Sequence, residues 1–414
     1  MSQPIRYTGA RVIDPVSGFD AVEAVVIQNG SVTARGAAAE ALPGIETRDA
    51  EGCWITPAFV DLCARLREPG PKQHGTIASE TRAAAAGGFR HLVLPPDTHP
   101  VLDHGALAAQ VIEKAQAAGH ARVYPVGALT RGLEGKALSG MGGLKGAGCV
   151  GVGNARLPVH SPETLLRCLE YAGSLGLTVF FSPEEASLAT GCAHDGFMAA
   201  RLGLTGIPDT AETVALATAL LLIEQTGVRA HVGQLSCRAS VELVRIAKDR
   251  GLPVTADVAM HQLHLTDAAI DGFNAMAHVR PPLRREEDRL ALIAGVRSGV
   301  IDAICSDHQP LNAAAKLAPF AEALPGMSTL ETVLPLGLTL VESGALTALQ
   351  LVRALTANPA RVIAQAVGGL DQGAGVLVID PQAAWTVSAD TLLSSGKNTA
   401  FLGQTLRGRV RSLH

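Results

Sequence analysis

Residues able to do chemistry gather where short apolar runs end. The run Ala58-Phe59-Val60 leads into "DLCARLREPG" (61–70), which places Cys63, Arg65 and Arg67 two residues apart. Alternation along a strand turns residues i and i+2 to the same side, the frame in which paired imidazoles hold a metal in hydrolytic centres. Here the frame carries a thiol and a cation. Later runs close on Asp97, Asn154, Ser182, Gln234 and the doublet Asp307-His308. A hydrolytic metal centre needs several imidazole or carboxylate donors converging on one point, with a position left for water. This set offers one good carboxylate, Asp307, and cannot assemble two metals.

Three other patterns have plainer readings. Cys63 has no histidine beside it in sequence, so a small buried hydrophobe fits it better than a thiolate nucleophile. His261 and His264, in "MHQLH", have the look of a metal pair on a helix, but packing or loop hydrogen bonding accounts for them. Ser306, Asp307 and His308 do not make a triad, because neighbours on a strand face opposite ways. The charge run "RREEDR" (284–289) reads as a solvated helix start.

The elements that must position these residues alternate. The first fifty residues read as short strands, "IRYTGARVID" and "VEAVVIQNGSVTA", with Asn29-Gly30 as a hairpin turn. From Ala58 onward, apolar runs alternate with alanine-rich helical segments, and eight strands are expected at 58–63, 90–95, 121–127, 148–152, 177–182, 229–235, 253–258 and 301–306. Between them, "SPETLLRCLEYAGSLG" has Ser161 as N-cap and Pro162 at N1, "ASVELVRIAKDRG" (239–251) is another helix, and "VALATALLLI" (214–223) suits a buried one. Eight strand-helix units point to a parallel (β/α)8 barrel of the TIM type. No Gly-rich phosphate motif supports an open doubly wound sheet, and "GMGGLKGAGCVGVG" (140–153) reads as loop plus strand. After about residue 365, "GVLVIDP" and "TLRGRVRSL" return to strands. The expected organisation is a barrel over 57–365 beside a small β-sandwich composed of 1–56 and 366–414.

Composition narrows the function. Of 414 residues, 47% are hydrophobic and 17% charged, with 44 Gly and 23 Pro, which describes a globular chain with many tight turns. A net charge of −4 and 3% aromatics provide neither the field nor the stacking surface for nucleic acid. No segment reads as a signal peptide or a membrane span, and seven scattered cysteines without a C-x-x-C pair make a disulfide framework improbable. The cytoplasm is the expected location.

The stretch "TPAFVDLCARLREPG" resembles the "PGFVDLHVHLREPG" signature of dihydroorotases, amidohydrolase-superfamily enzymes that use divalent metal, usually zinc, to interconvert dihydroorotate and carbamoyl aspartate. The resemblance continues in order through "PPDTHP" (95–100), "GFMAARLGLTGIPDTAE" (196–212), "HVGQLSCRASVELVRIAK" (231–248), "HVRPPLRREEDRLALIAGVRSGVIDAICSDHQP" (278–310), "PFAEALPGMSTLET" (319–332) and "LTANPARV" (355–362). It implies the barrel with its composite sandwich. Position by position, however, the ligand set is eroded. The His-x-His pair becomes Cys63 and Arg65, the Asp of "SDDG" becomes Asn154, and the histidines after strands five and six become Ser182 and Gln234. Asp307 keeps the Asp of "TDHAPH", whose last His is Leu311. Of the substrate-binding set Arg67 remains, while the Asn of "PNT" is Asp97 and the Asn of "NPPL" is Arg280. His231 keeps a family position that is not a ligand and is expected to be a hydrogen-bonded histidine.

Arg65 cannot be deprotonated to bind a metal. It is expected instead to pair with Asp307 and replace the metal's charge. The resemblance then implies a pseudoenzyme without zinc or another cofactor, similar to the noncatalytic dihydroorotase-like chain of bacterial aspartate transcarbamoylase. That chain would join the transcarbamoylase catalytic chain in a large, dodecameric hetero-oligomer and self-dimerise. Two alternatives stand beside it. One is a working cyclic amidohydrolase of the dihydroorotase, allantoinase or hydantoinase type with a single unconventional metal held near Asp307. The other is a sensor in which Arg67 and Arg280 bind an anionic metabolite.

Overall fold

A computed structural model describes residues 3–414. Eight parallel strands make one sheet in which each strand pairs with the next in sequence. They are β1 (Phe59–Asp61), β2 (Phe89–Leu94), β3 (Arg122–Ala128), β4 (Gly151–Gly153), β5 (Thr178–Phe181), β6 (Ala230–Val232), β7 (Val254–Ala259) and β8 (Ala303–Cys305). All eight expected strands are present, and the TIM-type (β/α)8 barrel is the observed fold. The ring is clasped just beyond the strand ends, where Ala64 bridges to His308: the Arg65 amide donates to the His308 carbonyl at 2.9 Å and the His308 amide to the Cys63 carbonyl at 3.2 Å.

The helices form where local signals allow. Pro162–Ser174 starts at Ser161, whose hydroxyl accepts from the Thr164 amide, and Pro162 occupies a position whose amide would have no helical partner. Arg238–Asp249 and Thr210–Thr226 cover the other two expected helices, but the latter is buried on one face only, with Val214 and Leu221 exposed, and is not the buried helix that its apolar run suggests. The glycine-rich stretch departs from expectation, because Met141–Gly146 is a helix before β4. Met141 and Leu144 are fully buried there. A side chain on Gly105 would come within 2.9 Å of the Gly143 carbonyl, so small residues on both sides allow a packed helix despite poor propensity.

Besides a short two-stranded pairing of Ala193–His194 with Gly206–Ile207, two larger sheets flank the barrel. One contains only N-terminal strands, in the order 31–35, 25–28, 5–8, 46–49. The Asn29-Gly30 turn joins two of them, with both residues at positive φ, as a two-residue hairpin requires. The other mixes the termini in the order 405–413, 376–386, 54–57, 11–14, 19–22. Strand Trp54–Pro57 runs directly into β1, so this mixed sheet is covalently continuous with the wall that carries Cys63 and Arg65. Among the described residues no helix is long and apolar enough to cross a membrane.

Candidate functional site

The residues at the C-terminal strand ends meet around Asp307, which is 1% exposed and follows β8 in a left-handed conformation with φ of 44°. Arg65, 7% exposed, donates from Nη1 to Asp307 Oδ1 at 3.1 Å and from Nε to Asp97 Oδ2 at 2.8 Å. Arg156 approaches from the opposite side, donating from Nη2 to Asp307 Oδ2 at 3.2 Å and to Gln234 Oε1 at 3.4 Å. The Ser182 hydroxyl donates to the same Gln234 oxygen at 3.0 Å. Cys63 Sγ lies 3.5 Å from Asp307 Oδ1 and 3.6 Å from Arg65 Nη1.

The electrostatics follow from that arrangement. Burial alone would raise the Asp307 carboxyl, but Arg156 and Arg65 outweigh it and hold the group below the usual carboxylate range. Burial opposes charge on Arg65 as well, and Asp97, Cys63 and Asp307 more than restore it. The Cys63 thiol is pushed well up by burial, which keeps it protonated. Directly beside these groups is a cavity of about 30 Å³, lined by Cys63, Arg65, Phe180, Phe181, Ser182 and Gln234 among others, and a larger one of about 230 Å³ adjoins it past Asn154, Ser182 and Glu184. The smaller is space for one or two waters.

Supporting groups fix the arrangement. Asp61 on β1 accepts from the Ser306 amide at 2.8 Å and from the Ser306 hydroxyl, tying β1 to β8, and burial pushes its carboxyl up to about 7. Asp257 on β7 accepts from the Gln234 amide at 2.6 Å and faces His231 Nε2 at 3.0 Å, while His231 Nδ1 meets Thr255 Oγ1 at 2.8 Å. His231 is thus a hydrogen-bonded core histidine. His308 meets Glu80 at 2.9 Å and accepts from the Thr329 amide at 3.0 Å, so its ring is engaged away from Asp307 and no triad forms.

Other positions stay outside the cluster. Asn154 accepts from the Thr130 hydroxyl at 2.7 Å and donates to the Leu157 carbonyl at 3.0 Å, so it braces a loop. Arg67 donates to the Pro310 carbonyl at 2.9 Å, with its pKa lowered to about 10 by burial and by Arg65. Arg280 makes a two-pronged contact with Glu184, at 2.7 and 2.9 Å, and donates to the Ala189 carbonyl at 2.7 Å. It is already neutralised, which removes the charge that the sensor reading needs there.

His261 and His264 lie in and beside the 3-10 turn Met260–Leu263 and are both lowered to about 4, by burial first. The "RREEDR" run is only partly solvated: Arg284 is 2% exposed and donates to the Ile207 carbonyl at 2.7 Å and to Ser236 Oγ at 3.1 Å, and Asp288 is also buried. The helix start there caps an interior network, a role that sequence charge does not distinguish from a solvated face. Arg156 was missed altogether. Its signal was its place two residues after Asn154, at the end of β4, opposite a carboxylate with two oxygens to satisfy.

A family model described as dihydro-orotase-like matches residues 52–240. A dihydroorotase-like protein from Pseudomonas aeruginosa is 48% identical over 410 residues, covering 98% of this chain and 97% of that one. The chain belongs to the dihydroorotase-like family. A relative from Geobacter metallireducens named dihydroorotase is 42% identical over 403 residues, covering 97% of this chain and 95% of its own. Among solved structures, an L-hydantoinase (dihydropyrimidinase) from Arthrobacter aurescens superposes with a TM-score of 0.88 over 100% of this chain and 95% of that chain, at 22% identity, which speaks to the barrel and its flanking sheets.

Proposed function

We propose that this dihydroorotase-like chain is a cytoplasmic pseudoenzyme whose role is structural: the noncatalytic partner of an aspartate transcarbamoylase catalytic chain in pyrimidine biosynthesis, self-dimerising within a dodecameric assembly. The observation that carries the loss of catalysis is the pair of guanidiniums on Asp307, one on each oxygen. Divalent metals require deprotonated donors. Here the carboxylate is taken by fixed cations, the neighbouring thiol is held protonated, and the remaining positions carry the neutral side chains of Ser182 and Gln234. This donor set does not fit zinc. The space directly beside Cys63, Arg65 and Gln234, about 30 Å³, is also too small for a pyrimidine ring. The partner rests on the family resemblance.

Light scattering on a sizing column, with this chain alone and mixed with the aspartate transcarbamoylase of the same organism, tests the assembly. One heavy species holding both chains is the expected result, and separate elution overturns the partnership. The name of the Geobacter metallireducens relative favours a second reading, a working cyclic amidohydrolase with one unconventional metal. Stoichiometric zinc after purification without chelator, with ring-opening turnover abolished in Asp307→Ala, would establish that reading and remove the first.

A further inference from the structure

The other end of the barrel holds the opposite arrangement. Arg90 at the start of β2 and Arg122 at the start of β3 sit on adjacent strands, the latter in register with His91. Both line a cavity of about 550 Å³, walled by Ile112, Ala121, Val123 and Val150 with Tyr124, Gln116 and Gln365 as its polar groups. The same two arginines line an adjoining cavity of about 300 Å³ that reaches Gly30, Gly373 and His414 of the flanking sheets. Neither lining contains an aspartate or glutamate. Arg90 donates one bond, to the His120 carbonyl at 3.1 Å, and Arg122 reaches the Tyr124 hydroxyl. Among the described residues neither enters an ion pair, whereas most other arginines of the chain do.

Two like charges lining one cavity repel, and among the described residues no aspartate or glutamate pairs with either. Their joint field is felt at His91, which is lowered to about 4 by burial and then by Arg122 and Arg90. Guanidinium forks match planar or tetrahedral oxyanions, and the cavity has the size and the largely apolar wall of a small-molecule site.

We propose that Arg90 and Arg122 form a binding site for a small, multiply charged oxyanion carrying an apolar body, at the N-terminal end of the barrel and on the opposite side from the Asp307 cluster. The two guanidiniums take the phosphoryl or carboxylate group, and the wall of Ile112, Val123 and Val150 takes the body. The site does not depend on the subunit reading, because none of its residues belongs to the Asp307 cluster.

The test uses the full chain and two probes, inorganic pyrophosphate and citrate, in thermal-shift and calorimetric titrations at constant ionic strength. A saturable stabilisation is expected from one or both; pyrophosphate alone identifies a phosphoryl ligand, citrate alone a polycarboxylate. Arg122→Ala should weaken binding about tenfold or more, from the loss of charge-assisted hydrogen bonds, and Arg122→Glu should abolish it. Arg122 is exposed, so both variants should fold. Arg167→Ala, on an exposed helix face, should bind as the parent does. No saturable shift with either probe, or unchanged affinity in Arg122→Glu, overturns the proposal.

Discussion

The two ends of the barrel handle positive charge in contrary ways. At the C-terminal mouth, Arg65 and Arg156 are spent on Asp307 and Asp97, with about 30 Å³ of space beside them and about 230 Å³ more past Asn154, Ser182 and Glu184. At the N-terminal end, Arg90 and Arg122 face about 550 Å³ with no carboxylate beside them. Where the family resemblance expects a reaction, the chain has closed its books on charge; where no reaction is expected, charge and space remain available. Self-neutralised groups stabilise the fold, and unneutralised ones are free to recognise something else.

The contrast can be broken or sharpened by substitution. Arg65→Ala should have the largest effect, about 3–5 kcal/mol lost in urea unfolding, because it leaves Asp307 and Asp97 short of a buried cation. A loss below about 1 kcal/mol would mean that the mouth is held by packing and not by the ion cluster. The triple exchange of Arg65, Asp307 and Arg156 for apolar residues of similar volume should recover much of that loss, since it leaves no buried charge uncompensated and the carboxylate it strands, Asp97, is exposed.

Acid should expose a second set of paired groups at the same end. Burial would raise Glu80, but hydrogen bonds and charge from His308, with Ser394 and Ser79, hold it at about 2. A carboxyl depressed in the folded state stabilises fully above its unfolded pKa near 4.5 and loses that contribution as pH falls toward 2. The parent should therefore lose about 3 kcal/mol of unfolding free energy over that window from this group, and Glu80→Gln should lack that part of the slope. An unchanged pH profile in the variant would show that the link does not operate.

Glu184→Ala tests a partly exposed pair. It should cost about 1 kcal/mol and leave Arg280 free, detectable as new anion binding at the mouth. The smallest effect belongs to the N-terminal end: Arg122→Ala should change unfolding free energy by no more than about 0.5 kcal/mol while removing oxyanion binding. A large destabilisation there would make Arg122 structural and erase the contrast.

Strand order and the barrel were legible because apolar runs and helical segments alternate with the right lengths, and because caps such as Ser161-Pro162 act locally. The Arg65–Asp307 pair was also legible, from strand alternation and from the need to balance a buried carboxylate. Arg156 was not, because it reaches the cluster through a loop turn at Ala155, whose φ of 48° no residue type announces. Asn154, two residues before, was expected beside the cluster and instead turns to Thr130 and Leu157, since a neutral amide gains more from three carbonyls and a hydroxyl than from a carboxylate already satisfied. Arg284 was hidden for a related reason: a charge run looks the same whether its members face water or an interior of backbone carbonyls.

The clamp on Asp307 also bears on the history of the chain. Restoring one imidazole at position 65 would strip Asp97 and Asp307 of their shared cation before any metal could replace it, and Arg156 would still hold the other oxygen. Each single step back toward a metal centre passes through a less stable intermediate. On the proposed reading of the mouth as a lost metal centre, the two arginines act as a ratchet: cheap to keep and, one substitution at a time, hard to reverse.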